Sequence, residues 1–120
     1  MNTLQTFAGG CHCGKVRIEA KLDPSATFGT CNCSICSKTG MVMAFLPAEQ
    51  VSISSGDAGL TDYQFGKKHI HHLFCSVCGV RPFSRGLSPE GRITYAVNVR
   101  CLEGLDVGAL KLKQYDGKSL

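Results

Sequence analysis

Three cysteines lie within six residues of the chain, at positions Cys31, Cys33 and Cys36. Cys31 and Cys33 are two residues apart, so on an extended segment both sulfurs emerge on the same side. Cys33 and Cys36 have the Cys-x-x-Cys spacing, in which a tight turn lets two sulfurs bind one ion. A tetrahedral zinc with Zn–S bonds of about 2.3 Å needs sulfurs roughly 3.8 Å apart, which this spacing can supply. Three adjacent ligands without a fourth favour a catalytic zinc with an open position, the alternative being a structural site completed by a distant ligand.

Two further cysteine pairs are far apart along the chain, Cys11 with Cys13 and Cys75 with Cys78. Together they supply the four ligands of a closed site, which leaves the cysteine triplet (residues 31, 33 and 36) with an open position. Two other arrangements also fit the spacing. In one, Cys75 and Cys78 join two cysteines of the triplet. In the other, Cys101 completes the triplet as a second four-cysteine site.

Other uses of clustered thiols fit the sequence less well than zinc does. An iron–sulfur cluster would use the same donors, but the sequence has no ferredoxin-type cysteine run. A redox Cys-x-x-Cys of the thioredoxin kind belongs near a βαβ pattern, which the sequence does not show. The sequence therefore predicts that these clustered cysteines bind two Zn²⁺ ions per chain.

Composition indicates an ordinary globular chain apart from its eight cysteines. The 120 residues are 43% hydrophobic and 18% charged, which predicts one domain over residues 1–120. Residues 1–7 lack the basic and apolar regions of a signal peptide, and no window is apolar enough to span a membrane. We therefore expect a cytoplasmic protein that uses its cysteines for metal rather than for disulfides. Seven zinc-bound thiolates would reduce the net charge from +4 to about +1, so no nucleic-acid partner is expected.

The elements that must position these cysteines are mostly short strands. Hydrophobic alternation, or a short apolar run, predicts strands at residues 15–22, 51–53, 60–65, 69–74, 92–99 and 110–113. The continuous apolar run at 41–46 predicts a strand buried on both faces. Glycine-rich turns are predicted at 9–14 and 56–59, a helical turn at 34–39 ended by Gly40, and a positive-φ turn at Gly79. The fold class predicted is mostly β.

Several polar residues are candidates for supporting roles around the metal. His12, His71 and His72 lie beside the cysteines and could bind metal or orient a ligand. His71, His72 and Tyr95 are candidates for the general acid that protonates an alkoxide. Arg100 and Lys38 are candidates for binding the carboxylates of a thiol substrate such as glutathione.

Four ordered motifs resemble one known family. They are GGCHCGKV at 9–16, CNCSIC at 31–36, FCSVCG at 74–79 and NVRCLEG at 98–104. Together they resemble the glutathione-dependent formaldehyde-activating enzyme family, to which centromere protein V also belongs. The resemblance extends from about residue 7 to residue 117.

This resemblance implies a β-tent-like (Mss4-like) single domain that holds two zinc ions. It assigns Cys11, Cys13, Cys75 and Cys78 to the structural zinc and Cys31, Cys33 and Cys36 to the catalytic zinc. It also implies the joining of glutathione to formaldehyde, a carbon–sulfur lyase type of reaction, as in S-hydroxymethylglutathione synthase.

The charge of a three-thiolate site favours thiol chemistry over water activation. Zinc with three thiolates has a formal charge of −1 and is a weaker Lewis acid than zinc bound by neutral histidines. A soft, sulfur-rich zinc suits the capture of a thiol as thiolate, which can then attack an aldehyde carbonyl. The leading hypothesis is an enzyme that forms or cleaves an adduct between a small thiol and an aldehyde. The alternative hypothesis is a non-catalytic zinc module that binds a protein partner.

Overall fold

The computed structural model describes residues 4–54 and 58–119, and this part of the chain is almost entirely β. The one α-helix in it, α1 (Cys36–Thr39), has four residues and lies between the third and fourth strands. The rest of the regular structure in this part of the chain consists of four three-residue 3₁₀ helices and ten strands. The strands are β1 (Gln5–Gly10), β2 (Arg17–Leu22), β3 (Thr27–Cys31), β4 (Met43–Pro47), β5 (Val51–Ile53), β6 (Leu60–Tyr63), β7 (Ile70–Cys75), β8 (Phe83–Leu87), β9 (Ile93–Asn98) and β10 (Lys111–Tyr115). The predicted fold class, mostly β with two cysteine clusters in one domain, is confirmed.

The strands form two sheets that share one hydrophobic core. The smaller sheet has the order β1-β2-β5, and the larger has the order β10-β3-β4-β9-β8-β7-β6. Ile18 and Ala20 of β2 belong to the same buried cluster as Phe83 and Val97 of the larger sheet. Every strand pair is antiparallel except β10 with β3, which runs parallel. The parallel pairing brings the C-terminal end of the chain to the end of β3, where the cysteine triplet begins.

Most of the predicted strands are present with shifted ends. The strands predicted at 15–22, 51–53, 60–65, 69–74, 92–99 and 110–113 are β2, β5, β6, β7, β9 and β10. In β2 the apolar side chains at every second position are buried, as the alternation predicts. The predicted helical turn is present as α1, and Gly40 ends it with a φ of 68°.

Two predictions about local structure are wrong. Gly9 and Gly10 are predicted to form a turn, but they end strand β1, where they pair with Ile18 and Arg17 of β2. A Cβ at Gly9 would overlap the backbone carbonyl of Cys101, so glycine at this strand position allows the two backbones to approach closely. The run at 41–46 was predicted to be buried on both faces. It forms β4 only from Met43 onward, and Phe45 is 52% exposed because it faces a cavity described below.

Strand β8 was not predicted from the sequence. Its residues, Phe-Ser-Arg-Gly-Leu, contain a glycine and a charge and alternate poorly. It is a strand because it pairs with β7 on one side and β9 on the other.

Parts of two predictions fall outside the described residues. These are residues 1–3 of the N-terminal stretch and residues 56–57 of the predicted turn at 56–59. Within 4–54 and 58–119, no helix has the length and apolar character that crossing a membrane requires.

Candidate metal centres and the adjoining cavity

The structure brings together the four cysteines of the two separated pairs. The sulfurs of Cys11, Cys13, Cys75 and Cys78 all lie within 4.8 Å of one another. Cys13 Sγ is 3.6 Å from both Cys11 Sγ and Cys75 Sγ. These separations are close to the roughly 3.8 Å edge of a zinc–sulfur tetrahedron. The four-cysteine cluster, as we call this group, therefore fits one zinc ion.

Backbone turns hold the sulfurs of this cluster in place. The N–H of Cys11 donates to Val16 O at 3.0 Å, and the N–H of Val16 donates to Cys11 Sγ at 3.2 Å. At the other pair, the N–H of Gly79 donates to Cys75 O, and Gly79 has a φ of 81°, as the zinc-knuckle pattern predicts. The N–H of Val80 lowers the pKa of Cys78 to about 6. Such N–H donors favour the thiolate forms that a metal requires.

The cysteine triplet is assembled by local structure at the end of β3. Cys31 is the last residue of β3, Cys33 lies in the following turn, and Cys36 begins α1. Their three sulfurs lie within 4.8 Å of one another, and in the described part of the chain no histidine or carboxylate completes the group. The N–H of Cys36 contacts Cys33 Sγ at 3.5 Å. The triplet therefore offers three soft donors to one metal ion.

The triplet needs a cation for all three thiols to ionise together. Burial, together with the neighbouring sulfurs of Cys33 and Cys31, raises the pKa of Cys36 to about 12. A divalent metal removes this penalty, because it pairs with the thiolates directly. The donor set and its electrostatics thus fit a zinc ion.

A half-buried cation, Arg81, also lies near the triplet. The guanidinium of Arg81 is 5.6 Å above the ring of Phe74, and it interacts electrostatically with Cys36. Within the described residues, its buried Nη1 has no hydrogen-bond partner. This positive charge offsets the negative charge of a three-thiolate site.

The C-terminal end of the chain packs directly on the triplet, a feature that no local sequence signal indicates. The N–H of Asn32 donates to Tyr115 O at 3.2 Å, and its side chain bonds Asp116 Oδ1 and the N–H of Lys118, both at 2.9 Å. A Cβ at Gly117 would lie 2.6 Å from Cys31 Sγ. Only glycine fits there without displacing the sulfur.

The structure places Cys101 beside the four-cysteine cluster and not in the triplet. Its half-buried Sγ lies 3.8 Å from Arg81 O and interacts electrostatically with Cys11 and Cys78. Burial raises the pKa of the Cys101 thiol to about 11, so it is a neutral thiol near pH 7. Cys75 and Cys78 likewise lie with Cys11 and Cys13 and not with the triplet.

All three triplet cysteines line a cavity of about 410 Å³. Its walls carry the aromatic side chains of Phe45, Phe65 and Tyr115, and Lys67 and Lys68 contribute the positive charge. No acidic residue lines it in the described part of the chain. A small anionic molecule could therefore reach the triplet from this cavity.

Of the candidate proton-transfer residues, the structure places His72 at the cavity. Its Nδ1 donates to Tyr63 O at 3.0 Å, which leaves Nε2 as the acceptor of the neutral ring. Burial lowers the pKa of His72, so the ring is neutral near pH 7. His71 is directed elsewhere and contacts Asp62 Oδ2 at 2.6 Å, and Tyr95 packs on Phe83.

The remaining predicted polar residues lie outside the cavity. Arg100, Lys38 and His12 are exposed, and none of them lines it. The cations at the cavity are Lys67 and Lys68, which the sequence showed only as a short basic pair. Lys68 has a φ of 59°, unusual for a residue other than glycine.

Replacing Gly117 by alanine is expected to weaken metal binding at the triplet by about tenfold or more. The added methyl group would displace Cys31 Sγ from its position beside Cys33. Titration of the metal-free chain with zinc against a chelating indicator measures this as a weaker second binding step and an unchanged first step. Gly108→Ala is the matched control, since its Cβ would lie 3.4 Å from Asp106 Oδ1, an ordinary contact. The expectation would be contradicted if both zinc-binding steps were weakened equally, or if neither step were weakened.

Comparison with known proteins identifies a family and a solved structure of similar fold. Residues 6–114 match the family model described as glutathione-dependent formaldehyde-activating enzyme. A crystal structure of a Rhodobacter sphaeroides protein, determined as a structural genomics target, is similar over 88% of this chain and 99% of that chain. The two are 33% identical in sequence and superpose with a TM-score of 0.74.

Proposed function

This chain belongs to the glutathione-dependent formaldehyde-activating enzyme family, and from that membership we propose that it is a zinc-dependent enzyme of the carbon–sulfur lyase type. It forms or cleaves the adduct between a small thiol, such as glutathione, and an aldehyde, as S-hydroxymethylglutathione synthase does. One observation carries the proposal: three cysteines, with no fourth ligand beside them among residues 4–54 and 58–119, line a cavity of about 410 Å³. A structural zinc site is closed by four protein ligands and does not need an adjoining cavity through which a substrate reaches the metal.

We assign a different role to each cysteine group. Cys11, Cys13, Cys75 and Cys78 hold a structural zinc, and Cys31, Cys33 and Cys36 hold a catalytic zinc. Catalytic zinc, when bound, supplies a position at which an incoming thiol loses its proton and becomes a stronger nucleophile. Seven of the eight cysteines lie in the two groups that could hold metal ions, a use of cysteine that is typical of reducing compartments, and we place the protein in the cytoplasm.

The residues of the cavity perform the remaining steps. Lys67 and Lys68 attract the carboxylates of the thiol substrate and orient it. His72, neutral and with Nε2 as its acceptor, takes the thiol proton and returns it to the carbonyl oxygen as the carbon–sulfur bond forms. In the reverse direction the same imidazole removes the hydroxyl proton as that bond breaks. Arg81 limits the negative charge around the triplet.

The zinc-loaded protein is expected to accelerate the exchange between glutathione plus formaldehyde and their adduct, measured by NMR exchange spectroscopy. His72→Gln should slow this exchange by about 100-fold, the lower part of the range for general acid–base catalysis. His71→Gln is the matched control and should keep the wild-type rate, because His71 pairs with Asp62 outside the cavity.

The pH profile distinguishes proton transfer from a structural role of His72. Because burial lowers the pKa of His72 below 6.5, its acceptor form persists at neutral pH and is lost only at lower pH. The wild-type rate should therefore be level near pH 7 and fall below pH 6.5, a fall that His72→Gln lacks. An absence of acceleration by the fully zinc-loaded protein would favour the non-catalytic zinc module instead.

A further inference from the structure

The cavity beside the triplet is much larger than formaldehyde requires. Its volume of about 410 Å³ lies in the range typical of sites for whole organic ligands, roughly 300–1,000 Å³. A molecule of water size occupies about 30 Å³ in the liquid, and formaldehyde, with two non-hydrogen atoms, is only slightly larger. Formaldehyde alone would leave most of the cavity filled with water.

Glutathione by itself does not account for the cavity either, because the walls are mostly apolar and glutathione is highly polar. Glutathione carries two peptide groups, two carboxylates and an ammonium, all of which need polar partners. Apart from the triplet, the cavity offers polar side chains from His69, His72, Ser84, Lys67 and Lys68. The rest of its lining is predominantly apolar: Ile35, Met43, Phe45, Phe65, Ile70 and Tyr115.

Several of these apolar side chains are exposed to solvent. Phe45 is 52% exposed, Ile70 50%, Tyr115 41% and Phe65 40%. Phe45 and Tyr115 pack edge to face at 5.8 Å, while Phe65 stacks on His72 at 5.2 Å. These ring pairs form walls that an apolar group would cover favourably.

The fold makes room for one of these aromatic walls. A Cβ at Gly29 would lie 2.7 Å from the Tyr115 ring and 3.1 Å from the Phe45 ring. Glycine at this position of β3 thus lets both rings lie against the strand that ends in Cys31. The wall and the triplet are parts of one local structure, so a molecule with its sulfur at the triplet can contact the rings.

We propose that this cavity binds a thiol adduct whose carbonyl-derived carbon carries an apolar substituent of about the size of a phenyl ring. The inference rests on the proposed function and specifies its substrate class. In the reaction, the thiol sulfur bonds to the carbonyl carbon, the carbon–oxygen π bond breaks, and the thiol proton ends on the oxygen. The reverse reaction breaks the same carbon–sulfur bond, and neither direction needs an oxidant or reductant.

Binding of stable thioethers tests this inference without turnover. Calorimetry of the zinc-loaded protein with S-benzylglutathione and S-methylglutathione should show at least tenfold tighter binding of the benzyl compound, because apolar pockets discriminate by about tenfold or more per group. Phe65→Ala should remove most of this preference. Leu87→Ala, which shortens an exposed side chain outside the cavity, should retain it.

The outcomes separate this inference from the proposed function. Equal binding of the two thioethers, or tighter binding of the methyl compound, would overturn the inference, whichever aldehydes are turned over. The proposed function is decided separately, by exchange rates with glutathione plus benzaldehyde or formaldehyde. A benzyl preference that survives Phe65→Ala and Phe45→Ala together would place the binding site elsewhere and would also overturn the inference.

Discussion

Replacing Cys75 by serine is expected to unfold the chain. Cys75 is fully buried at the end of β7, and its Sγ lies 3.6 Å from that of Cys13, which is 62 residues away in sequence. The four-cysteine cluster thereby joins β1 of the smaller sheet to β7 of the larger one. A structural zinc contributes on the order of 10 kcal/mol, comparable to the whole free energy of unfolding of a domain. Circular dichroism and thermal melting should show no cooperative transition for Cys75→Ser.

The control for this experiment is Cys101→Ser. Cys101 lies near the same cluster, but its half-buried thiol contacts Arg81 O at 3.8 Å and belongs to neither metal group. A serine hydroxyl can donate to that carbonyl as well, so this variant should keep a cooperative melt close to the wild type. A Cys75→Ser protein that melts like the wild type would show that the four-cysteine cluster does not hold the sheets together.

The sequence was sufficient to identify the cysteine groups, because the ligand spacing of a metal site is local. The turns that bend Cys33 toward Cys36 and Cys75 toward Cys78 lie within four residues of chain. Cysteine spacing alone does not decide which pairs share a metal, because that depends on how β1 meets β7 across the core. The family resemblance implies the pairing, and the tertiary structure brings the four sulfurs of Cys11, Cys13, Cys75 and Cys78 together.

The cavity could not be predicted, because its parts have no common local pattern. Phe45 belongs to an apolar run that looks like core, whereas Phe65 and Lys68 lie in a turn. Tyr115 and Gly117 reach the triplet only through the parallel pairing of β10 with β3. The histidines are likewise equivalent in the sequence. The structure distinguishes His72, which lines the cavity and donates to Tyr63 O, from His71, which contacts Asp62.

Replacing Cys36 by serine is expected to abolish catalysis while the chain stays folded. Cys36 begins a four-residue helix with no buried residue, so the core does not depend on it. A serine hydroxyl is a poor replacement for a thiolate in a sulfur-rich zinc site. Loss of the metal would remove several kcal/mol of transition-state stabilisation, which lowers the rate by about a thousandfold or more.

Three measurements on Cys36→Ser separate catalysis from folding. Elemental analysis should give about one zinc per chain instead of the two expected from the two cysteine groups. Thermal melting should remain cooperative, and the exchange of glutathione and formaldehyde with their adduct should fall to the uncatalysed rate. Ser34→Ala, in the same turn and exposed, is the matched control and should keep two zincs and full activity. If Cys36→Ser retained both zincs and the wild-type rate, the triplet would not be the catalytic centre. If instead it unfolded while Cys75→Ser did not, the structural and catalytic assignments would have to be exchanged.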